Sequence, residues 1–325
     1  MGYSLQQCHA KVARSGCVRP KLLLIFDIML SRFLRLFLLF ELFTYGFIGL
    51  LLVKLAGWSP GWTLVLLFGM ALGWRAWMIL FTYSCAWLYR SPTPPELGIG
   101  RKRKLLEALR EVAALSVIQL MQAFDRLFVK QDAPVKTTQP PLLLIHGYCC
   151  NRGFWWWLKP RLEAQGHSIA TLTLEPLHGD IDSYAEQVAR GVDRLCSATG
   201  ANQVILVGHS MGGLVARAYL RRYGEFRVVR LVTLGTPHRG SLLAHLSIGR
   251  NARQMTPGSA WLAELAQTPL SIPCVSIYSC HDNYVMPQDS AKLDGAENVP
   301  LAGVGHLAMA ISPVALKALL AATSN

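Results

Sequence analysis

Long apolar runs dominate the N-terminal quarter of the chain. Residues 36–53 contain one charged side chain, Glu41, and residues 62–89 contain one, Arg75. Because roughly 20 apolar residues are enough for a helix to cross a bilayer core, these runs predict two membrane-spanning helices joined by a short turn. A lone arginine within a span is costly. We therefore expect Arg75 either to pair with Glu41 on the other helix or to reach the membrane interface through a shifted span.

A proline- and glycine-rich linker, residues 91–100, follows the second apolar run and interrupts the helical pattern. Residues 101–130 then carry apolar side chains at helical spacing, which predicts an amphipathic helix. Two interpretations of its apolar face remain open: packing against the domain that follows, or lying on a bilayer surface beside the basic sequence RKRK. The face comprises Leu106, Leu109, Ala113, Val117, Leu120, Phe124 and Leu127.

From residue 141 onwards, short apolar runs alternate with amphipathic segments. This alternation predicts an α/β fold, with a mostly parallel sheet of about six strands and helices on both faces. The predicted strands span residues 142–146, 168–174, 203–209, 228–235, 273–279 and 298–304. The predicted helices span residues 155–165, 182–198, 212–224 and 312–322.

Basic residues are concentrated in the apolar part of the chain. Of the formal net charge of +13, most lies in residues 1–104, which hold 13 Lys and Arg against 3 Asp and Glu. This distribution favours anionic lipid headgroups, and not nucleic acid, as the partner, because no basic stripe crosses the C-terminal part. Basic residues flank both outer ends of the two spans, so the positive-inside rule predicts that both ends face the cytoplasm.

These features divide the chain into a membrane anchor (residues 1–90), a linker with the amphipathic helix (91–136) and an α/β domain (137–325). A cleaved signal peptide is not expected, because the first apolar run is long and a second one follows it. We therefore expect a multi-pass membrane protein whose α/β domain faces the cytoplasm. The eight cysteines have no metal-ligand spacing and are expected to be reduced thiols.

The sequence VGHSMGG, residues 207–213, places Ser210 between a predicted strand and a predicted helix. Gly208 and Gly212 complete the pattern G-x-S-x-G. In this setting the pattern is typical of a nucleophile elbow, a strained turn that needs glycines where a β-carbon would clash. A serine at a helix N-terminus also lies where partial positive charge favours an oxyanion. Ser210 is therefore the predicted nucleophile.

A serine hydroxyl is a weak nucleophile until a base takes its proton. In the elbow architecture an acid and then a histidine follow the serine along the chain, in loops after strands. His306, in GVGHLAM, follows the last predicted strand and is the predicted base. Asp282 directly follows the strand at 273–279 and is the predicted acid, with Asp289 and Asp294 as reserves.

Two backbone N–H groups are needed to stabilise the oxyanion of such a reaction. Met211 follows the nucleophile and is the first predicted donor. Tyr148 is the second, because it lies in the loop after the first predicted strand, where Gly147 allows a close approach of the backbone. Three other histidines near these loops are expected to support them by hydrogen bonds and not to act as bases: His146, His209 and His238.

The sequences LLLIHGYCCNRGFW, VILVGHSMGGLVARAYL and LVTLGTPHRGS together resemble the α/β-hydrolase superfamily, specifically its bacterial triacylglycerol lipase and esterase branch. The similarity covers residues 141–325, and GTPHRGS is the most discriminating of the three. The resemblance implies the α/β-hydrolase fold and a triad of Ser210, Asp282 and His306. Together with the predicted anchor, it suggests a protein of a bacterial inner membrane.

The same resemblance makes residues 242–272 a short lid over an acyl pocket and leaves the roles of Tyr148 and Met211 unchanged. Many lipases of this branch bind calcium near the histidine loop. The sequence around His306 has no carboxylate cluster, so we expect no metal and no cofactor. Three consecutive tryptophans in GFWWWLKP either line an acyl groove or touch the bilayer, or they pack the helix that follows.

These observations predict a membrane-anchored serine hydrolase that cleaves carboxylic esters, with lipid acyl esters as the favoured substrates and membrane lipids as surroundings. Two alternatives remain. The first is another acyl-transfer enzyme of the same fold, a thioesterase or an acyltransferase. The second is a non-catalytic membrane-bound binding module, against which the intact serine, acid, histidine and glycines argue. The oligomeric state is not predicted.

Overall fold

The computed structural model describes residues 29–129 and 132–324. The first 28 residues, which include the predicted basic tail with Cys8 and Cys17, lie outside the described residues. Two long helices come first, α1 (Met29–Lys54) and α2 (Pro60–Leu88). Both are long and apolar enough to cross a membrane, and only 6% and 11% of their apolar windows are buried. Their apolar side chains therefore face outward, unlike those of a core helix.

Arg75 lies halfway along α2 and is buried between helices. Its Nη1 and Nη2 atoms donate to the two carboxylate oxygens of Glu41 on α1, at 3.0 and 2.8 Å. Its Nε donates to Gln119 Oε1 at 3.1 Å. Gln119 belongs to a third helix, α3 (Arg101–Ala123). The structure thus forms the pair that was one of the two alternatives, and it ties α3 to the same pair.

Helix α3 presents a different face from the one that its apolar pattern predicts. The side chains of Leu106, Leu109 and Leu120 are 45%, 58% and 42% exposed. Its buried face instead contains two acidic residues, an amide and apolar residues, namely Glu107, Glu111, Ala114, Ile118, Met121 and Gln122. The interpretation in which the leucine face packs on the next domain is therefore wrong. Polar side chains of α3 are buried because they bind buried backbone groups, so a polar residue does not mark the side of this helix that faces solvent.

The helix predicted over residues 101–130 is also shorter than expected. Phe124 leaves the helical conformation, with φ −121° and ψ 37°. A single turn, α4 (Asp125–Phe128), follows it. Asp125 accepts hydrogen bonds from Ser31 at 3.1 Å and from Arg152 at 3.1 Å, so this turn links α1 to the domain that follows.

The described chain contains the predicted six-stranded sheet, and all of its neighbouring strands run parallel in the order β2-β1-β3-β4-β5-β6. The strands are β1 (Leu142–Ile145), β2 (Ile169–Thr171), β3 (Val204–His209), β4 (Val228–Leu234), β5 (Cys274–Ser279) and β6 (Glu297–Leu301). The helices of this part are α5 (Leu158–Glu163), α6 (Ile181–Thr199), α7 (Met211–Tyr223), α8 (Arg250–Gln254), α9 (Ala260–Ala266) and α10 (Pro313–Thr323).

The sheet is covered on both faces. Successive side chains along a strand point to opposite faces, so apolar residues at neighbouring positions need a core on each face. In β1, Leu143 points into a core built with α6, α7 and α9, whereas Leu144 points into a core built with α3, α5 and α10. Helix α3 enters the second core through Ala114 and Ile118. The helix assigned to the linker by sequence is therefore packed against the sheet as one of its covering helices.

Candidate active site

Ser210 occupies a strained turn between β3 and α7. Its backbone has φ 54° and ψ −126°, a region that a residue with a β-carbon rarely adopts. The glycines around it are required by space: a β-carbon on Gly208 would collide with the Gly213 nitrogen, and one on Gly212 would collide with the Ile145 carbonyl oxygen. The turn therefore has the geometry expected of a nucleophile elbow.

Asp282 and His306 are brought together from two different loops at the carboxyl end of the sheet. Asp282 Oδ2 is 2.7 Å from His306 Nδ1, and both side chains are buried. The other carboxylate oxygen, Oδ1, accepts the backbone N–H groups of Tyr284 and Val285 at 2.7 and 2.8 Å. These bonds fix the carboxylate, so it holds the imidazole with Nε2 free to act as a base.

The charge environment favours protonation of His306. Burial alone opposes it, but the carboxylates of Asp282 and Glu111 outweigh burial and raise the pKa of His306 above its usual value. The neighbouring His209, whose ring centroid is 4.7 Å from that of His306, behaves oppositely. Burial, with His306 adding to it, lowers the pKa of His209 well below its usual value. Only one of the two imidazoles is therefore suited to carry a proton.

Ser210 and His306 border the same cavity, together with the ring of Tyr284, which stacks on His306 at 5.2 Å. Within the described residues, Ser210 Oγ forms no hydrogen bond with His306. Hydrogen bonds between nucleophile and base are often long in sites without substrate and shorten when substrate binds. The three side chains of the predicted triad are therefore at one site, with one of its two hydrogen bonds formed.

The loop after β1 lies directly against the nucleophile. A β-carbon on Gly147 would be 2.9 Å from Ser210 Cβ. His146 fixes this loop, since its Nε2 accepts the N–H of Leu174 at 2.9 Å and its Nδ1 is 2.9 Å from the Gly147 oxygen. Burial lowers the pKa of His146 to about 4, so its imidazole is neutral. His146 therefore holds this loop by hydrogen bonds, and Tyr148 lines the same cavity as Ser210.

Sequence reasoning missed Glu111, a buried carboxylate on α3. Its two oxygens accept the backbone N–H groups of Leu307 and Ala308 at 2.7 and 2.8 Å, immediately after His306. Burial raises the pKa of Glu111 to about 7, against the effect of those two hydrogen bonds. No local pattern in the sequence marks this contact, because the leucine-rich face of α3 lies away from Glu111 and its partners are almost 200 residues later in the chain.

A second missed contact joins α2 to the histidine loop. Asn283 Oδ1 accepts the backbone N–H of His306 at 3.1 Å, and Asn283 Nδ2 donates to Thr82 Oγ1 at 2.8 Å. Thr82 belongs to α2 and is buried. Two helices that precede the sheet thus hold the loop that carries His306.

The remaining candidates have structural surroundings. His238 lies 3.1 Å from Thr233 Oγ1 and 3.4 Å from Arg217, away from Ser210. The reserve acids are engaged elsewhere, Asp289 with Ser91 and Asp294 with Arg239. Among residues 29–129 and 132–324, no group of three or more His, Cys, Asp or Glu side chains could hold a metal ion.

The three consecutive tryptophans pack and do not line the cavity at Ser210. Trp155 is fully buried against Phe154, whose ring stacks on His209 at 4.2 Å. Trp157 lies under the Arg161 guanidinium at 3.8 Å. The packing interpretation of GFWWWLKP is therefore the one that the structure favours.

The cavity at Ser210 has a volume of about 530 Å³ and is partly covered by residues 242–272, here called the cover segment. Leu243, Ala244 and Met255 of the cover segment contribute to its wall. Tyr148 pins the segment, because its hydroxyl donates to the Ile248 oxygen at 2.7 Å. A larger cavity of about 830 Å³ lies between α2 and α3 behind Asp282, but neither Ser210 nor His306 lines it.

Comparison with known proteins agrees with this architecture. A family model for the alpha/beta hydrolase fold matches residues 140–270. A triacylglycerol lipase of Burkholderia plantarii is 32% identical over 151 residues, which is 42% of this chain and 42% of the lipase. Salicylic acid-binding protein 2 of Nicotiana tabacum is 28% identical over 126 residues, 37% of this chain and 48% of that protein.

Among solved structures, the mature form of Bacillus licheniformis lipase BlEst2 superposes with a TM-score of 0.54 and 18% identity, covering 61% of this chain and 97% of that one. The chain thus has the α/β-hydrolase fold, and triacylglycerol lipases are among its relatives. It spans less than half the length of the curated relatives that it matches. The family match includes Ser210 and ends before Asp282 and His306.

Proposed function

We propose that this protein is a membrane-anchored serine hydrolase that cleaves carboxylic esters of lipids through an acyl-enzyme. The observation that carries the proposal is the Asp282–His306 hydrogen bond of 2.7 Å, together with the cavity that His306 and Ser210 both border, Ser210 from a strained turn. The lipase relatives support ester hydrolysis. The apolar walls of the cavity support an acyl substrate.

In the proposed reaction Ser210 Oγ attacks the acyl carbon while His306 Nε2 takes the hydroxyl proton. The bond from the acyl carbon to the alcohol oxygen then breaks, and His306 returns the proton to the leaving alcohol. Water, deprotonated by His306, attacks the acyl-enzyme next. The carboxylic acid leaves as Ser210 regains its proton, so the enzyme is restored.

The electrostatic surroundings suit this cycle. The imidazolium that forms at His306 is stabilised by Asp282, which raises the pKa of His306 against burial. The oxyanion would be held by the backbone N–H groups of Met211 and Tyr148. Met211 is the first residue of α7, so its N–H points away from the helix toward the turn. Gly147, the residue before Tyr148, lies close to Ser210, which supports Tyr148 as the second donor.

The membrane part of the proposal rests on α1 and α2. Their exposed apolar surface is what a lipid environment would cover, and the Glu41–Arg75 pair satisfies the charges inside it. We propose two membrane passes in a bacterial inner membrane, with the sheet on the cytoplasmic side. A reporter enzyme fused to the C-terminus tests this orientation, and periplasmic activity of the reporter would contradict it.

Replacing Ser210 with alanine tests the chemistry. We expect Ser210→Ala to lower turnover of a p-nitrophenyl acyl ester at least ~10³-fold, because the attacking atom is lost. The full chain is used in detergent, and circular dichroism checks that it remains folded. Undiminished turnover by Ser210→Ala would end the proposal.

A matched control separates this serine from others. Ser279, at the end of β5, is buried like the core around it and lines neither cavity. We expect a fluorophosphonate probe to label wild type and Ser279→Ala equally and to leave Ser210→Ala unlabelled. Comparing ester with acyl-CoA turnover then distinguishes an ester hydrolase from a thioesterase.

A further inference from the structure

The cavity at Ser210 is not enclosed by the α/β domain alone. One side is formed by the loop after β1 and another by the cover segment. A third side is formed by residues of α1 and α3, namely Leu30, Phe33, Leu34, Leu115, Ile118, Gln119 and Gln122. Five of these seven side chains are apolar, so the helices that precede the sheet supply a mainly hydrophobic wall to the cavity.

This wall continues into the outer surface of α1. Phe33 borders the cavity and is nevertheless 62% exposed, so it stands at an edge where the cavity meets the exterior. Leu36 and Phe40 lie one and two turns further along a similar face of the helix and are each 66% exposed. Exposed apolar side chains on the outer surface of α1 therefore follow directly after the one at the edge of the cavity.

The dimensions suit an elongated apolar group. The volume of about 530 Å³ lies within the range of roughly 300–1,000 Å³ found for small-molecule sites. The reacting atoms lie at one border of the cavity and Phe33 lies at the α1 border. A chain attached to an ester carbonyl at Ser210 would thus run along Leu34 and Leu115 toward the exterior of α1.

The position of the wall is fixed by polar contacts around it. Asn151 Nδ2 donates to Ser31 Oγ at 3.1 Å, which holds the start of α1 on the α/β domain. Gln122 Oε1 accepts the backbone N–H of Asn151 at 2.9 Å, which holds α3 at the same place. Because both contacts are buried, they hold α1 and α3 in place against the cavity.

We propose that the acyl chain of a membrane lipid ester enters this cavity sideways between α1 and α3, and that Leu34 and Leu115 form its binding wall. The inference rests on the proposed ester hydrolysis at Ser210 and names its substrate class, long-chain acyl esters that reside in the bilayer. In this arrangement α1 has two roles: its outer face contacts lipid and its inner face contacts the substrate. A short, water-soluble ester needs no such wall.

The test compares chain-length selectivity in the full-length protein. The ratio of kcat/KM for p-nitrophenyl palmitate to that for p-nitrophenyl acetate is measured in mixed micelles for wild type, Leu34→Trp and Leu115→Trp. We expect the ratio to fall ~10-fold or more in both variants, because an indole occupies space that the long chain needs and apolar packing discriminates by about that factor. Leu42→Trp is the matched control, since Leu42 is on the opposite face of α1, is 69% exposed and lines neither cavity, and its ratio should equal that of wild type.

Leu34→Ala keeps the measurement decisive if the tryptophan variants fail to fold. Alanine removes packing surface from the chain, so the ratio should fall again, by a smaller factor. An unchanged ratio in the variants that remain folded would overturn the inference. A fluorophosphonate probe separates this outcome from failure of the proposed function: labelling at Ser210 with an unchanged ratio contradicts the wall alone, whereas an unlabelled Ser210 contradicts the hydrolase itself.

Discussion

Glu111 offers a sharp test of how α3 supports the reaction, since it touches neither Ser210 nor substrate. In Glu111→Gln one oxygen remains to accept a backbone N–H, while the amide NH₂ faces the other. One of the two donors, Leu307 or Ala308, therefore loses its partner in a buried place. An unsatisfied buried N–H costs about 1–3 kcal/mol. If the loss destabilises the conformation of the histidine loop in which His306 can act as a base, by that same free energy, kcat/KM falls roughly 5- to 150-fold.

The pH dependence carries a second signature. The Glu111 carboxylate helps to raise the pKa of His306, and His306 must be neutral to act as a base. Removing the negative charge lowers the pKa of His306, so the acidic limb of kcat/KM should move to lower pH, by up to ~1 unit. Burial raises the pKa of Glu111 to about 7. The acidic limb of the wild-type protein therefore reports the titration of both Glu111 and His306, whereas that of Glu111→Gln reports His306 alone.

The assay is hydrolysis of p-nitrophenyl butyrate from pH 5 to pH 9 in detergent. Glu107→Gln is the matched control: Glu107 is buried one turn earlier on α3, pairs with Arg110 at 2.6 Å and makes no bond to the histidine loop. We expect its acidic limb to coincide with that of wild type. The reasoning fails if Glu111→Gln keeps the wild-type rate and limb, or if Glu107→Gln shifts the limb equally.

Two further predictions follow from close contacts. Gly147→Ala should lower kcat for ester hydrolysis ~10²-fold or more while the circular dichroism spectrum is unchanged, because its β-carbon would lie 2.9 Å from Ser210 Cβ and displace the loop after β1, which carries the proposed oxyanion donor. A wild-type kcat would contradict this. Arg75→Leu should lower the free energy of unfolding in detergent by about 3–5 kcal/mol, since it leaves the Glu41 carboxylate without its ion-pair partner. Exchanging the two residues (Glu41→Arg with Arg75→Glu) should restore part of this loss. Equal stability of the single variant and the exchange would show that the pair is unimportant.

Much of the sheet was predictable from sequence, because its strands are short apolar runs separated by helices and three of the inner strands are buried along their whole length, namely β1, β3 and β5. The prediction was least accurate at β2, expected over residues 168–174 and observed as Ile169–Thr171. This strand is at the edge and pairs only with β1, and its ladder ends at Leu144, although β1 continues to Ile145. Propensity alone cannot locate such a limit.

At the candidate site, the strained turn at Ser210 could be predicted because a nucleophile elbow imposes glycines at fixed distances in the sequence. The meeting of Asp282 and His306 could be predicted because the loops after parallel strands meet at one edge of the sheet, whereas the catalytic roles of the three residues stay a prediction. Glu111 and Thr82 could not, since each acts on the histidine loop from a helix about 200 residues earlier in the chain. No local pattern records such a contact, and the apolar pattern of α3 indicated the wrong face.

The attachment of α3 to the sheet bears on how a soluble fragment could be made. Cutting the chain just before β1 would delete the carboxylate that caps the turn after His306 and the amide that receives the Asn151 N–H. It would also uncover part of the sheet beneath Ala114 and Ile118. A truncated chain meant for expression without a bilayer therefore has to begin ahead of Arg101. Its exposed leucines on α3 also have to be replaced with polar residues.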